Sequence, residues 1–212
     1  MSATLLLLAD GRLPSGGHAH SGGFEPVAGL GLVRTLDDLG AFLRGRLHTA
    51  GLTAAAIAAS VFTAALDDLD RAADARMPSP AAREASRRQG RQLLRAARSV
   101  WPSRLYDDLP LRPHQPVVLG LAARAGGLTP DAAALAAAHG SVTGAASAAV
   151  RLQSLDPIGV HALLGELAPE VDAVAAAATE AARHGDIPAP AAPLLELAAE
   201  DHATWEVRLF AS

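Results

Sequence analysis

The sequence contains no cysteine and no lysine. The first absence rules out disulfides, thiolate metal sites and cysteine nucleophiles, and it fits a reducing compartment. The second means that all 18 basic residues are arginines, which removes the P-loop lysine, Schiff-base chemistry and the kinase lysine. Aromatic residues make up only 3% of the 212-residue chain. A core without large rings must be built from leucine, valine and above all alanine, which favours close helix–helix packing over a sheet. Strand signals are scarce as well. Val117-Val118-Leu119 is short, and no alternating segments flank a hairpin turn. The apolar run Leu5-Leu6-Leu7-Leu8 is far shorter than the ~20 residues that cross a bilayer. No basic segment precedes it, so a signal peptide is not expected, and the sequence reads as cytoplasmic with no membrane association. The formal net charge is -4, and nothing marks the whole protein as a nucleic-acid binder.

Half the residues are apolar, and mean hydropathy is +0.21. The length suits one domain spanning residues 1–212, with enough chain to bury a core unaided. Helix punctuation recurs. Thr35 caps Leu36-Asp37-Asp38, and Leu39, Phe42, Leu43 and Leu47 follow at helical spacing. A second helix is expected from near Thr53 through Ile57 and Phe62 toward Leu66. Ser79-Pro80 opens a third that ends near Trp101-Pro102. Others are expected from about Pro116 to Ala125, from Pro130 to about Leu155, from about Glu170 to His184, and from Pro193 toward Arg208. Asp156-Pro157 repeats the cap-plus-proline device. The expected fold is therefore an all-α bundle of about eight or more helices, with linkers at residues 11–23, 102–113 and 185–193. In the alanine-rich run 132–149, Gly140 and Gly144 share a face. That face suits either close packing inside the monomer or a subunit contact.

Few residues point to chemistry. The glycine-rich segment from Leu13 to Glu25 lacks the strand, helix and lysine of a phosphate cradle. His18 and His20 are two apart and could share a metal in extended chain, yet a closed site needs about four ligands and no third is evident. No nucleophile elbow occurs, and Ser21, His20 and Asp10 have no scaffold legible in sequence that would make a triad. Arg83, Arg87, Arg91 and Arg95 form a stripe, widened by Arg88 and Arg98. It is either a solvated face or a docking face for an acidic partner. Leu209 and Phe210 lie at the end of the sequence, where a tail either folds back on its own core or is held by a partner.

Four places together resemble the UreF family of urease accessory proteins. Leu7-Leu8-Ala9-Asp10, Leu13-Pro14, Gly16-Gly17, Ser21-Gly22 and Glu25 look like its opening motif. Ala85-Ser86-Arg87 with Gly90 resembles its Ala-Ser-Arg-x-x-Gly helix. Arg151-Leu152 follows small residues as in its penultimate motif. His202 and Arg208-Leu209-Phe210-x-Ser212 resemble its closing signature. Two departures stand out. His18-Ala19-His20 replaces the aromatics of the common family loop, as in an actinobacterial branch, and a glutamine pair after the Arg-Leu motif is missing.

The resemblance implies an all-helical, non-catalytic scaffold, often dimeric. It implies binding to UreD (also called UreH), to the GTPase UreG and to apo-urease during GTP-dependent nickel insertion, with nickel and GTP handled by those partners rather than bound as cofactors. On that footing the partner-binding residues are Gly16, Gly17, Ser21, Gly22, Glu25, Arg87, His202, Arg208, Leu209, Phe210 and Ser212, and His18 and His20 are the metal candidates. Two other readings remain: a helical adaptor that uses the arginine stripe, and a metal-dependent enzyme built on the two histidines.

Overall fold

In the computed structural model, which describes residues 2–210 apart from the side chain of His18, every regular element is helical. The order is α1 (Ala3–Ala9), α2 (Phe24–Gly29), α3 (Leu36–Arg46), α4 (Leu52–Ser60), α5 (Leu66–Ala75), α6 (Pro80–Val100), α7 (Gln115–Ala125), α8 (Pro130–Gln153), α9 (Pro157–His184) and α10 (Pro193–Ala203). The centre is a trio, α4, α8 and α9, which pack on one another. Small residues are prominent among those they bury: Ala55, Ala56, Ala58 and Ala59 from α4, Ala134, Ala138, Ala145 and Ala149 from α8, and Ala175 and Ala178 from α9, beside Ile57, Val142, Leu167 and Val171. Methyl side chains let helix axes approach toward the short end of the usual ~8–10 Å. Around this trio α7 buries Val117, Val118 and Leu121, and α6 lies across α7.

Thr35, Ser79, Thr129 and Asp156 all cap helices through their side chains, as their sequence positions require. Other expectations change. α3 and α4 form one path, joined by a π-helical turn, Leu47–Gly51, with no break between them. α9 runs unbroken through Pro169. A mid-helix proline removes one hydrogen bond, but Leu167 and Val171 on either side are buried in the core and hold the helix together. α1, α2 and α5 are helices that the sequence pattern did not reveal. Two of them are too short for a full amphipathic period, and α5 carries its acids Asp67 and Asp68 in the first turn without a capping side chain. α10 ends at Ala203 rather than near Arg208. α8 is long and apolar enough to cross a membrane by length and composition, which the sequence reading passed over. More than half of its most apolar window (56%) is buried inside the bundle, as befits a core helix. Gly140 and Gly144 do not mediate a close helix contact, for nothing lies within 4 Å of a Cβ added at either. They line a cavity described below.

The motif Ala85-Ser86-Arg87-x-x-Gly90 proves to be a clamp on the loop before α7. Ser86 Oγ lies 3.0 Å from His114 Nδ1 and accepts from Gln115 N at 3.3 Å. Arg87 donates to the Arg112 carbonyl. At Gly90 a Cβ would sit 2.0 Å from the Pro113 carbonyl oxygen and 3.1 Å from Gln115 N, so only glycine lets this backbone pass against α6. Gly90→Ala is expected to lower stability by about 3 kcal/mol, the upper range for overpacking a tight contact. Urea unfolding followed by circular dichroism checks this, and an unchanged midpoint would show that the loop moves aside freely.

Candidate functional site

The conspicuous polar constellation joins the two ends of the sequence. Gly22 and Gly23 both adopt left-handed backbone, φ 64° and 82°, and turn the glycine-rich loop into α2. There Ser21 Oγ accepts from the Glu25 backbone N–H at 3.2 Å, and Ser21 and Glu25 are buried. The Glu25 carboxylate then accepts three hydrogen bonds. His202 Nε2 at the end of α10 lies 2.9 Å from Oε2, and the backbone N–H groups of Leu209 and Phe210 donate to Oε1 and Oε2 at 2.9 Å each. Hydrogen bonds to an ionised carboxylate are worth about twice neutral ones. Trp205 stacks edge-on against the His202 ring, with centroids 4.8 Å apart. Arg151 lies over the Phe210 ring, 4.6 Å from its centroid, in a cation–π arrangement.

The tail thus folds back on its own chain. Phe210 is buried, 6% exposed, while Val207 and Leu209 are 79% and 71% exposed. Of the two alternatives for the tail, the described residues show it folded back, with Phe210 held by the carboxylate at residue 25 and the apolar core. Arg208 is exposed. Ser212 lies outside the described residues. Gly16 backs onto Gln92 of α6, and Gly17 is exposed at the start of a 3-10 turn. Gly16, Gly17, Ser21, Gly22 and Glu25 therefore belong to one loop. Glu25 joins it directly to His202, Leu209 and Phe210.

Arg87 sits elsewhere and faces inward. It donates to Asp70 at 3.0 Å and to Asp74 at 2.6 Å, and it is only 18% exposed. His114, fully buried, lies 2.9 Å from Asp74 through Nε2 and donates its backbone N–H to Asp70 at 2.8 Å. Asp70, Asp74 and His114 could hold a metal by spacing alone. The Arg87 guanidinium already supplies the positive charge between the two carboxylates, so the cluster reads as a buried ion-pair network. Burial opposes ionisation of Asp74, but hydrogen bonds from His114 and Arg87 outweigh it and hold the carboxyl below its usual range. Burial keeps His114 below its usual value, despite Asp74. The sequence carried one signal for this network: Asp70 and Asp74 stand four apart, on one face of α5. Arg83 also turns away from the open face, donating to the Met77 and Pro78 carbonyls at 2.6 and 2.9 Å. The arginine stripe therefore divides. Only Arg88, Arg91 and Arg95 line an exposed groove with Gln92.

Of the two metal candidates, the side chain of His18 lies outside the described residues. His20 Nδ1 accepts from the Gly22 N–H at 2.9 Å. Burial first, then the charges of Arg46, Arg88 and His202, push its pKa down to about 3. Its neighbours are cations, an environment that disfavours a bare metal ion.

Two measurements follow from this geometry. Glu25→Gln leaves one acceptor oxygen for three donors, and amide exchange at Leu209 and Phe210 should quicken about tenfold or more, the equivalent of losing a charge-assisted hydrogen bond. Unchanged exchange would show that Phe210 packing alone holds the tail. For His20 the folded pKa is depressed. Between 6.5 and about 3 the unfolded chain binds a proton that the folded chain does not, so stability is fully present above 6.5 and declines as pH falls through that window. His20→Asn, which keeps an acceptor for Gly22, should flatten the dependence of the urea midpoint on pH. An identical slope in the variant would mean that other groups govern it.

Comparison with known proteins identifies the family. The UreF family model matches residues 33–168. The urease accessory protein UreF of Mycolicibacterium vanbaalenii is 48% identical over 216 residues, covering 99% of this chain and 98% of that one. The proteins of the same name from Mycobacterium sp. (strain JLS) and Mycobacterium marinum are 50% and 46% identical over 211 and 213 residues, again with 99% of this chain and 98% of theirs covered. The loop, the α6 clamp and the tail all fall within those alignments, and the chain belongs to the UreF family of urease accessory proteins.

Proposed function

We propose that the chain serves urease maturation as a scaffold, bridging UreD (UreH) and the GTPase UreG while nickel is inserted into apo-urease. In this role it catalyses no step and holds no cofactor. Nickel and GTP are handled by the partners, and the scaffold works as a cytoplasmic homodimer. The observation that carries the reading is the latch at Glu25. It presents the tail on the outside of the bundle with Val207 and Leu209 turned to solvent. Exposed apolar groups on a held backbone suit a protein interface better than a frayed end does.

A second feature supports it. Between the segment after α2 and the start of α10 lies a groove of about 410 Å³, lined by Val27, Leu32, Val33, Phe42, Leu194 and Leu195 among others. Leu32 and Leu194 are each about half exposed, 53% and 46%. α10 thus carries this groove at one end and the His202 contact at the other. The alternative, an adaptor that binds an acidic surface through arginines, keeps one observation: Arg88, Arg91 and Arg95 form no ion pair among the described residues. Within the scaffold reading that groove suits an acidic face of UreG, with binding that weakens as salt rises.

The experiment is urease activation in a host that carries the matching urease subunits, UreD and UreG, with and without this gene. Nickel incorporation and activity should appear only with the gene. Equal activity without it, together with no complex with UreD, would remove the proposal. In the same system Phe210→Ala should weaken UreD binding by about 1–3 kcal/mol, because it unseats the tail. Leu209→Ser should weaken binding while leaving the melting temperature unchanged. Unaltered affinity for both variants in a titration would place the UreD interface elsewhere.

A further inference from the structure

Arg46 is a half-buried cation. It lies on the inward side of α3, three residues after buried Leu43 and one before buried Leu47. Its Nε donates to the Ser141 carbonyl at 2.9 Å. That is the guanidinium's one hydrogen bond to the described residues, and it makes no ion pair with any of their carboxylates. Burial, with no acid nearby to offset it, lowers its pKa to about 10. A half-buried guanidinium without an acidic partner is incompletely solvated, and its position favours a counter-charge.

The space around Arg46 has room for one. Two cavities, of about 450 and 170 Å³, meet at residues that line both: His20, Gly22, Arg46, Gln89 and Gln115, with Ala50 and Ala54. None of these is acidic. The carboxylates elsewhere in the cavity walls are occupied. Asp10 in the larger cavity is bound by Arg12 at 2.8 Å, and Glu196 in the smaller accepts from Ser79 N at 2.6 Å. His20, with Nδ1 accepting from Gly22, carries its proton on Nε2 and is a neutral donor. The side-chain amides of Gln89 and Gln115 make no hydrogen bond to the described residues. Arg88 adds positive potential from α6, close enough to depress His20. The constellation is one guanidinium, one imidazole N–H and two amides, facing enclosed space without a carboxylate.

We infer that the junction of these cavities, built on Arg46 with His20, Gln89 and Gln115, binds a small free oxyanion of the carbonate, carboxylate or phosphate class. The two terminal nitrogens of Arg46 offer the parallel donors that match such groups. His20 and the glutamine amides supply donors for the remaining oxygens. Cavities of about 170 and 450 Å³ suit a small solute. The π turn that begins directly after Arg46 is a helix irregularity of a kind common at functional positions.

The test uses the purified full-length protein in chloride buffer of fixed ionic strength, titrated calorimetrically with bicarbonate, formate, phosphate and sulfate. The expected result is saturable one-to-one binding of at least one of these, with planar and tetrahedral anions ranked by the four arms. In Arg46→Gln affinity should fall about tenfold or more, as expected for loss of a charge-assisted contact. Thermal melting gives a second readout. The bound anion should raise the melting temperature of the wild type and leave that of Arg46→Gln unmoved. If Arg46→Gln does not fold, the Gln89→Ala/Gln115→Ala pair decides, since neither amide is bonded to the fold. Weakened anion binding in that pair supports the site. Absence of saturable binding in the wild type, or equal affinity in the variants, overturns it and leaves Arg46 as a structural link between α3 and the Ser141 carbonyl.

Discussion

The close approach of α4, α8 and α9 is the constraint under which everything else in this bundle is arranged. With 3% aromatics, the core cannot gain its buried area from large rings. It gains it from leucines and valines packed with many alanines. Such a core tolerates little. A helix axis shifted by an ångström loses contacts along its whole length, because dispersion is short-ranged and small side chains have no rotamers with which to refill a gap. The same core explains why helix α9 continues through Pro169: the buried residues on both sides of the proline stabilise the helix more than one missing hydrogen bond weakens it.

On this rigid centre the polar contacts act as fasteners for loops and ends. Glu25 joins the glycine-rich loop to α10 and to the tail, across sequence separations of 177 to 185 residues. Ser86, Arg87 and Gly90 join α6 to the segment before α7, and Arg87 with His114 ties that segment to α5. In both places a buried carboxylate is satisfied by several donors at once, which is the condition for burying a charge without a net loss. The motifs that mark the family in sequence are therefore largely fasteners. They also fix the geometry of exposed neighbours such as Leu209. Arg46 differs from both networks because the protein supplies no carboxylate for it. Its charge faces the junction of two cavities, and that asymmetry is what distinguishes a site from a fastener.

The family, the all-helical class and most helix starts were legible in the sequence, since each rests on local chemistry. Thr35, Ser79, Thr129 and Asp156 cap helices because a side-chain oxygen within three residues of an open N–H is enough to do so. The absences of cysteine and lysine excluded whole reaction classes without reference to any fold. Helices α1 and α2 escaped notice because so few residues carry little periodic signal, and α5 because no capping side chain marks its start. An arginine at position 46, in phase with Leu39 and Leu43, was a visible irregularity whose meaning no pattern could supply.

Tertiary structure alone decided which of the like residues do unlike things. Arg83 and Arg87 share a stripe with Arg91 and Arg95 in the sequence, yet the first two are turned inward by carbonyls and carboxylates from α5 and the neighbouring loops. Phe210 and Leu209 are adjacent apolar residues, yet one is buried and the other exposed, because Glu25 accepts from both of their backbone N–H groups and fixes the bent tail with the Phe210 ring turned to the core. Gly140 and Gly144 promised a helix contact and instead border a cavity. The sequence by itself determined what each segment can form, because caps and helical periodicity act over a few residues. Where a charge is matched, where a tail is latched and where space is left open depend on residues far apart in the chain, and only the packed bundle brings those together.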